Sequence, residues 1–126
     1  MAKVTCCSLS QLKNVMQGND VNLFIVRNPK NDIKDLTWFP YLAPSQALYS
    51  FAMENKDNAG WWDIYKRSFE EELESADKKL GLGLVQDYIT LGFNVNLVCY
   101  CGSAAHCRRS LVGEKLKSMG LEVIII

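Results

Sequence analysis

Short apolar runs alternate with segments of helical spacing along the chain. Residues 3–7 alternate and carry β-branched side chains, which is typical of a short strand. Residues 21–26 are apolar at nearly every position, as expected for a parallel strand covered on both faces. The runs 93–101 and 121–126 predict a third and a fourth strand. The last run is apolar at five of six positions, so it lies inside the sheet or pairs with another chain, as in a homodimer.

Helical spacing of apolar residues fills most of the intervals between these strands. A first helix is predicted to begin after Ser8 or Ser10 and to end at Gly18. Four later segments share this spacing: 44–55, 62–76, 84–91 and 105–119. The glycine-rich segment 80–84 matches no phosphate-binding signature and is predicted to be a loop before a short helix.

This order of elements predicts a single α/β domain over residues 1–126. Right-handed crossovers would give a small, mainly parallel four-stranded sheet with helices on both faces, a Rossmann-like three-layer arrangement. Residues 29–44 contain three prolines and are predicted to be irregular, covering or functional.

Composition excludes several classes of function. Lys and Arg equal Asp and Glu at 14 each, and this neutral balance argues against a nucleic-acid partner. No apolar run approaches the roughly 20 residues that span a bilayer, so no membrane partner is expected. The first residues lack the apolar core of a signal peptide, which predicts a cytoplasmic protein with reduced thiols. Five cysteines are an odd and unevenly spaced set, so a disulfide framework is disfavoured.

The chemistry-bearing residues concentrate in one stretch. Three of the five cysteines, the single histidine and two adjacent arginines lie between Cys99 and Arg109. The stretch is predicted to be a strand, a Gly/Ser/Ala turn and a helix, which places the turn at the carboxyl edge of the sheet. Ligands bind at that edge in open α/β sheets, and a helix start favours anions.

The strands ending at Cys6-Cys7 and Arg27 should share this edge with Cys99-Tyr100-Cys101. We therefore predict a site for an anionic, phosphate-bearing small molecule such as a nucleotide or nucleotide-sugar, with no cofactor. The expected ligand-binding residues are Arg27, Ser45, Cys99, Gly102, Ser103, Arg108 and Arg109. Arg109 is the sharpest of these predictions, because a cation in the first turn of a helix opposes the helix dipole and suggests a compensating anion.

Three alternatives use the same stretch or the aromatic loop. In a thiol-dependent enzyme, Cys101 or Cys107 would be the nucleophile, with His106 as a catalytic partner. In a zinc site, Cys99, Cys101 and Cys107 would be joined by His106 or Cys6, but the spacing C-x-C then C-x₅-C is irregular, so no metal is predicted. A protein-interaction domain would expose aromatic side chains at 38, 39 and 41. Tyrosine-phosphatase chemistry is improbable because six residues, and not five, separate Cys101 from Arg108.

The motifs resemble an uncharacterised family, domain of unknown function 488. That family carries a late Cys-Tyr-Cys strand end followed by Cys-His-Arg at a helix start; the chain reads Cys99-Tyr100-Cys101, five residues, then Cys107-Arg108-Arg109. Its Asp-Val-Arg strand end reads Ile25-Val26-Arg27, its Leu-Ala-Pro-Ser segment is 42–45, and its aromatic helix matches 62–69. The family histidine is Arg108 and the family aspartate is Ile25 in this chain. The resemblance implies an α/β fold and a site at the cysteine–arginine turn, without an established activity.

Overall fold

A parallel sheet of five strands forms the centre of the molecule. The computed structural model describes residues 2–30 and 32–126. The strands there are β1 (Val4–Ser8), β2 (Val21–Phe24), β3 (Thr37–Trp38), β4 (Val95–Cys99) and β5 (Val123–Ile125), in the order β3-β2-β4-β1-β5. Each adjacent pair is parallel. The predicted α/β class is confirmed, with one strand more than the four predicted. The additional strand, β3, lies in the segment predicted to be irregular.

One helix lies between the first two strands, three lie between the third and fourth, and one lies between the last two. In the same residues the helices are α1 (Leu12–Val15), α2 (Gln46–Asn55), α3 (Trp61–Glu72), α4 (Ala76–Thr90) and α5 (Arg108–Ser118). Three 3₁₀ turns lie at Leu9–Gln11, Pro40–Leu42 and Ala104–His106. Ser45 and Ser75 cap α2 and α4, since their side chains accept hydrogen bonds from the backbone N–H groups of Leu48 and Lys78. The helix predicted over 105–119 begins three residues later than predicted, as α5, and a 3₁₀ turn precedes it.

The two central strands are covered on both faces. All five residues of β1 and of β4 are buried, although successive side chains point to opposite faces. One face also carries a polar row, in which Thr5, Asn96 and Asn22 stand in register across three strands. Asn96 Nδ2 donates to Asn22 Oδ1 at 2.8 Å and to Asp20 Oδ2 at 2.9 Å. These buried amides are thus satisfied within the sheet.

The glycine-rich segment 80–84 is helical, and the predicted loop there was wrong. It lies inside α4, which runs unbroken from residue 76 to 90. A Cβ on Gly81 would stand 2.8 Å from Tyr41 Cβ and 3.0 Å from Leu42 Cδ2, whereas a Cβ on Gly83 would meet nothing within 4 Å. Gly81 therefore allows the Pro40–Leu42 turn to pack directly on α4.

The last strand lies at an edge of the sheet. β5 pairs with β1 alone, so the alternative of an interior strand was wrong, while pairing with another chain stays a prediction. Ile124 and Ile126 are partly exposed, at 39% and 38%. Over residues 2–30 and 32–126, none of the helices combines the length and apolar character needed to cross a bilayer.

The two α4 glycines give a matched stability test. We expect Gly81→Ala to lower the free energy of unfolding by about 1–3 kcal/mol, because its methyl group overpacks against Tyr41 and Leu42. Gly83→Ala should raise it by up to about 1 kcal/mol, since alanine favours a helix interior and the space is open. Urea unfolding of both variants measures the difference. Equal effects of the two substitutions would contradict the packing argument.

Candidate functional site

A cavity of about 520 Å³ opens at the carboxyl edge of the sheet. Four cationic side chains line it: Arg27, Lys30, Lys56 and Arg108. The Arg27 side chain is held by a contact with the backbone of another segment, because its Nε donates a hydrogen bond to the carbonyl oxygen of Pro44 at 2.8 Å. Among the described residues, no Asp or Glu lines this cavity. The cavity therefore presents an excess of positive charge to any ligand.

Aromatic rings from the start of α3 form one wall. Trp61, Trp62 and Tyr65 line the cavity together with His106. The His106 ring stacks on Trp62 with centroids 5.0 Å apart and an interplanar angle of 29°. Tyr65 and Phe69 of this helix are buried in the core, whereas both tryptophans are only half-buried. The wall thus offers flat apolar surfaces beside the cations.

Three thiols meet at the base of the cavity. The Sγ atoms of Cys99, Cys101 and Cys107 all lie within 4.8 Å of one another. Cys99 ends β4, whereas Cys107 is the residue before α5, and their Sγ atoms are 3.0 Å apart. Cys101 and Cys107 line the cavity, and Cys101 is the only one of the three that is not fully buried. A molecule in the cavity would therefore meet the sulfur of Cys101 first.

Arg109 lies behind the thiols and does not line the cavity. Its side chain is 1% exposed, and Nη1 donates to Cys99 Sγ at 3.3 Å and to the carbonyl of Cys101 at 2.6 Å. Its Nε donates to the carbonyl of Ile126 at 3.0 Å. The ion pairs of the described residues do not include Arg109. The geometry assigns the guanidinium to the thiols, and the cavity-facing arginine of α5 is Arg108.

The second arginine, Arg108, joins the aromatic wall to the thiols. Its positive charge opposes the effect of burial on the pKa of Tyr65, and its Nε is buried with no hydrogen-bond partner in the described residues. Burial raises the pKa of Tyr65 to about 12, so the hydroxyl remains neutral beside the guanidinium.

Burial and hydrogen bonding divide the five thiols into two groups. Hydrogen bonds from Cys101, Cys107 and Arg109 hold the pKa of Cys99 far below its ordinary range, against the effect of burial. Hydrogen bonds to Cys101 and Cys99 raise the pKa of Cys107, which keeps its proton. Burial raises the pKa values of Cys6 and Cys7 to about 12 and about 11. Within the cluster the thiolate form is thus favoured at Cys99 over Cys107, while Cys6 and Cys7 are core thiols.

The structure does not bring every predicted residue to the cavity. Arg27, Gly102, His106, Cys101, Cys107 and Arg108 line it, and Cys99 lies directly beneath. Ser45 does not line it: its hydroxyl caps α2 and donates to Glu72. Ser103 caps the 3₁₀ turn by accepting from the backbone N–H of Ala105. These two serines are capping residues in this fold.

Several lining residues were not predicted from the sequence. They are Asn28, Lys30, Tyr49, Met53, Lys56, Trp61 and Tyr100. Lys30 follows the end of β2, and ligands in open α/β sheets bind at the carboxyl ends of the strands. That rule alone could have suggested Lys30 as a lining residue. Lys56 and Trp61 flank the polar break between α2 and α3 and give no comparable signal.

Comparison with known families identifies the chain. The model DUF488-N3a, described as the active DUF488-N3 subclade, matches residues 5–120. The chain belongs to this DUF488-N3a family. The resemblance to domain of unknown function 488, inferred from the cysteine and arginine motifs, is therefore confirmed. Neither the curated proteins nor the solved structures compared with the chain gave a significant match.

Replacing Arg109 in this DUF488-N3a protein should destabilise it. Arg109→Ala removes its hydrogen bonds to Cys99 Sγ and to the carbonyls of Cys101 and Ile126, so we expect the free energy of unfolding to fall by about 1–3 kcal/mol for each carbonyl left without a partner. Arg67→Ala, at an exposed position of α3, is the control and should change it by less than about 0.5 kcal/mol. Urea unfolding of the reduced proteins measures both. An unchanged Arg109→Ala variant would show that the guanidinium has no structural role.

The five thiols should differ in their access to an alkylating reagent. In native, reduced and chelator-treated protein, we expect iodoacetamide to modify Cys101 first, because it alone of the cluster is partly exposed and faces the cavity. Peptide mapping by mass spectrometry identifies the modified residue over time. Cys6 and Cys7, both 0% exposed, are internal references that should react only on unfolding. Early modification of either would refute this order.

Proposed function

We propose that the chain binds an anionic small molecule that carries a phosphate group and a flat ring, such as a nucleotide, in the cavity at the carboxyl edge of the sheet. The observation that carries this proposal is the lining itself: four cationic side chains and no carboxylate from the described residues beside an aromatic wall. The cavity volume of about 520 Å³ lies within the range of small-molecule sites.

The cations divide into an inner and an outer pair. Arg27 and Arg108 are half-buried and belong to the strand end and to the first turn of α5. Lys30 and Lys56 are exposed at the rim. A guanidinium matches the geometry of phosphate oxygens, and charge-assisted hydrogen bonds are the stronger kind. We assign the phosphate to Arg108, which lines the cavity at the first turn of α5, with the lysines attracting the anion.

The aromatic wall supports a ring in the ligand. Trp61 and Trp62 present half-buried faces to the same cavity, and His106 already stacks on Trp62. A base stacked on an aromatic side chain contributes about 1–3 kcal/mol where this has been measured by alanine substitution. The description of the DUF488-N3a subclade as active supports a functional role for this cavity.

The five free thiols support the proposed cytoplasmic location.

Thermal unfolding with defined anions tests the proposal. We expect adenosine 5′-monophosphate to raise Tm more than inorganic phosphate or adenosine, because it occupies both the cations and the aromatic wall. A ligand present at about 100 times its Kd stabilises the fold by about 2.7 kcal/mol. If none of the anions raises Tm, the proposal fails.

Three substitutions assign the parts of the cavity. Arg108→Ala should weaken phosphate and nucleotide about tenfold or more, as expected for a lost charge-assisted hydrogen bond worth about 1.5–3 kcal/mol. Trp62→Leu should weaken the nucleotide but leave inorganic phosphate unchanged. Lys66→Ala, an exposed residue of α3 outside the cavity, is the charge-matched control and should bind like the wild type. Titrations followed by tryptophan fluorescence and by calorimetry measure each affinity.

A further inference from the structure

Three sulfur donors converge at the base of the cavity from two elements and the loop between them. Cys99 comes from β4, Cys101 from the residues just after it, and Cys107 from the cap position of α5. Their Sγ atoms lie within 4.8 Å of one another, which is close enough for one ion to contact all three. We propose that this thiol cluster is a zinc site with three cysteine ligands and a fourth position open to the cavity.

The donor set selects the class of metal. Sulfur-only donors exclude Mg²⁺ and Ca²⁺, which bind oxygen, and favour zinc and other thiophilic ions. Iron–sulfur clusters are commonly held by four cysteine thiolates, one more than this cluster offers. Zinc–sulfur bonds of 2.3 Å in a tetrahedral site correspond to sulfur separations of about 3.8 Å. The Cys99–Cys107 separation of 3.0 Å and the 4.8 Å limit for the cluster bracket that value, so small side-chain rotations suffice.

The buried arginine fits the charge of a loaded site. Three thiolates and one Zn²⁺ carry a net charge of about −1. Arg109 Nη1 lies 3.3 Å from Cys99 Sγ and 3.7 Å from Cys107 Sγ, where it offsets this charge and orients two of the ligands. Partners that orient metal ligands in this way commonly matter for affinity. Arg109 thereby acquires a positioning role.

The fourth coordination position of the proposed zinc site would face the cavity. Catalytic zinc sites have three protein ligands and leave one position for water or substrate. Cys101 and Cys107 line the cavity, whereas Cys99 lies beneath it, so the open side faces the ligand space. His106 and Cys6 are outside the cluster, which makes neither of them a fourth ligand. The inference goes beyond the proposed anion binding and does not require it.

Metal content of the purified protein tests the site directly. The chain is expressed with added zinc, purified under reducing conditions without chelator, and assayed for zinc, copper and free thiols. We expect one zinc per chain in the wild type and loss of stoichiometric zinc in Cys101→Ser and Cys107→Ser. Cys6→Ala and His106→Ala are the controls and should retain the metal. Thermal unfolding of each variant establishes that it is folded; Cys101→Ser, at a half-buried position, is the variant least at risk.

Cobalt substitution provides an independent readout. Cobalt bound by thiolates gives charge-transfer absorption in the near ultraviolet, and this absorption should weaken in Cys101→Ser. Metal-free wild type with all five thiols reduced, bound copper in place of zinc, or full zinc retention in both serine variants would each overturn the proposal. A Cys99–Cys107 disulfide would do so as well if the protein still took up no zinc after that disulfide had been reduced. None of these measurements depends on the anion titrations, so the two proposals fail separately.

Discussion

A buried guanidinium organises the carboxyl edge of this sheet. Arg109 cannot lose its charge, so its burial requires acceptors on every side. The acceptors come from separate segments: a sulfur at the end of β4, a carbonyl in the following loop and a carbonyl just after β5. This one side chain thereby ties the first turn of α5 to the end of β4, to the loop after it and to the residue after β5, beside the apolar packing of Leu111, Val112 and Leu116. Leaving such a charge without partners is among the costlier single changes in a protein core.

The formal net charge of zero conceals an uneven distribution of charge. The chain has 14 basic and 14 acidic residues. The ion pairs of the described residues involve Glu74 and Glu114 with lysines of α4 and α5, and neither glutamate lines the cavity. The cavity instead collects four cationic side chains. A neutral composition thus speaks against a broad basic surface but says nothing about a small concave site.

The sequence predicted the elements with strong periodicity and failed where tertiary contacts decide. β2 and β4 were found because buried parallel strands leave nearly continuous apolar runs, β1 from its alternation and β-branched residues, and β5 from an apolar run that lies at the sheet edge. β3 has two residues and leaves no periodic trace. The segment around Gly81 read as a loop because glycine is a poor helix former, yet close packing against Tyr41 and Leu42 requires it in α4. The thiol cluster followed from the one stretch in which a strand end, a turn and a helix start carry Cys99, Cys101 and Cys107, whereas the strand end at Cys6 and Cys7 does not contribute to it. The positions of the two arginine side chains could not be predicted in this way. Arg108 and Arg109 are adjacent in the sequence, and only tertiary packing places one at the cavity and the other behind the thiols.

The polar row across the sheet has a consequence for how the chain finds its native pairing. Strands rich in valine and leucine tolerate a shift of two residues, because such a shift keeps every side chain on its original face. With Asn96 bonded to Asn22, the same shift would separate two buried amides and leave their polar groups unsatisfied, at about 1–3 kcal/mol for each group. The two asparagines therefore fix the register between β2 and β4, in the way that a buried asparagine fixes the register of a coiled coil. Apolar contacts stabilise the pairing of these strands, and the hydrogen-bonded amides determine which register is the most stable.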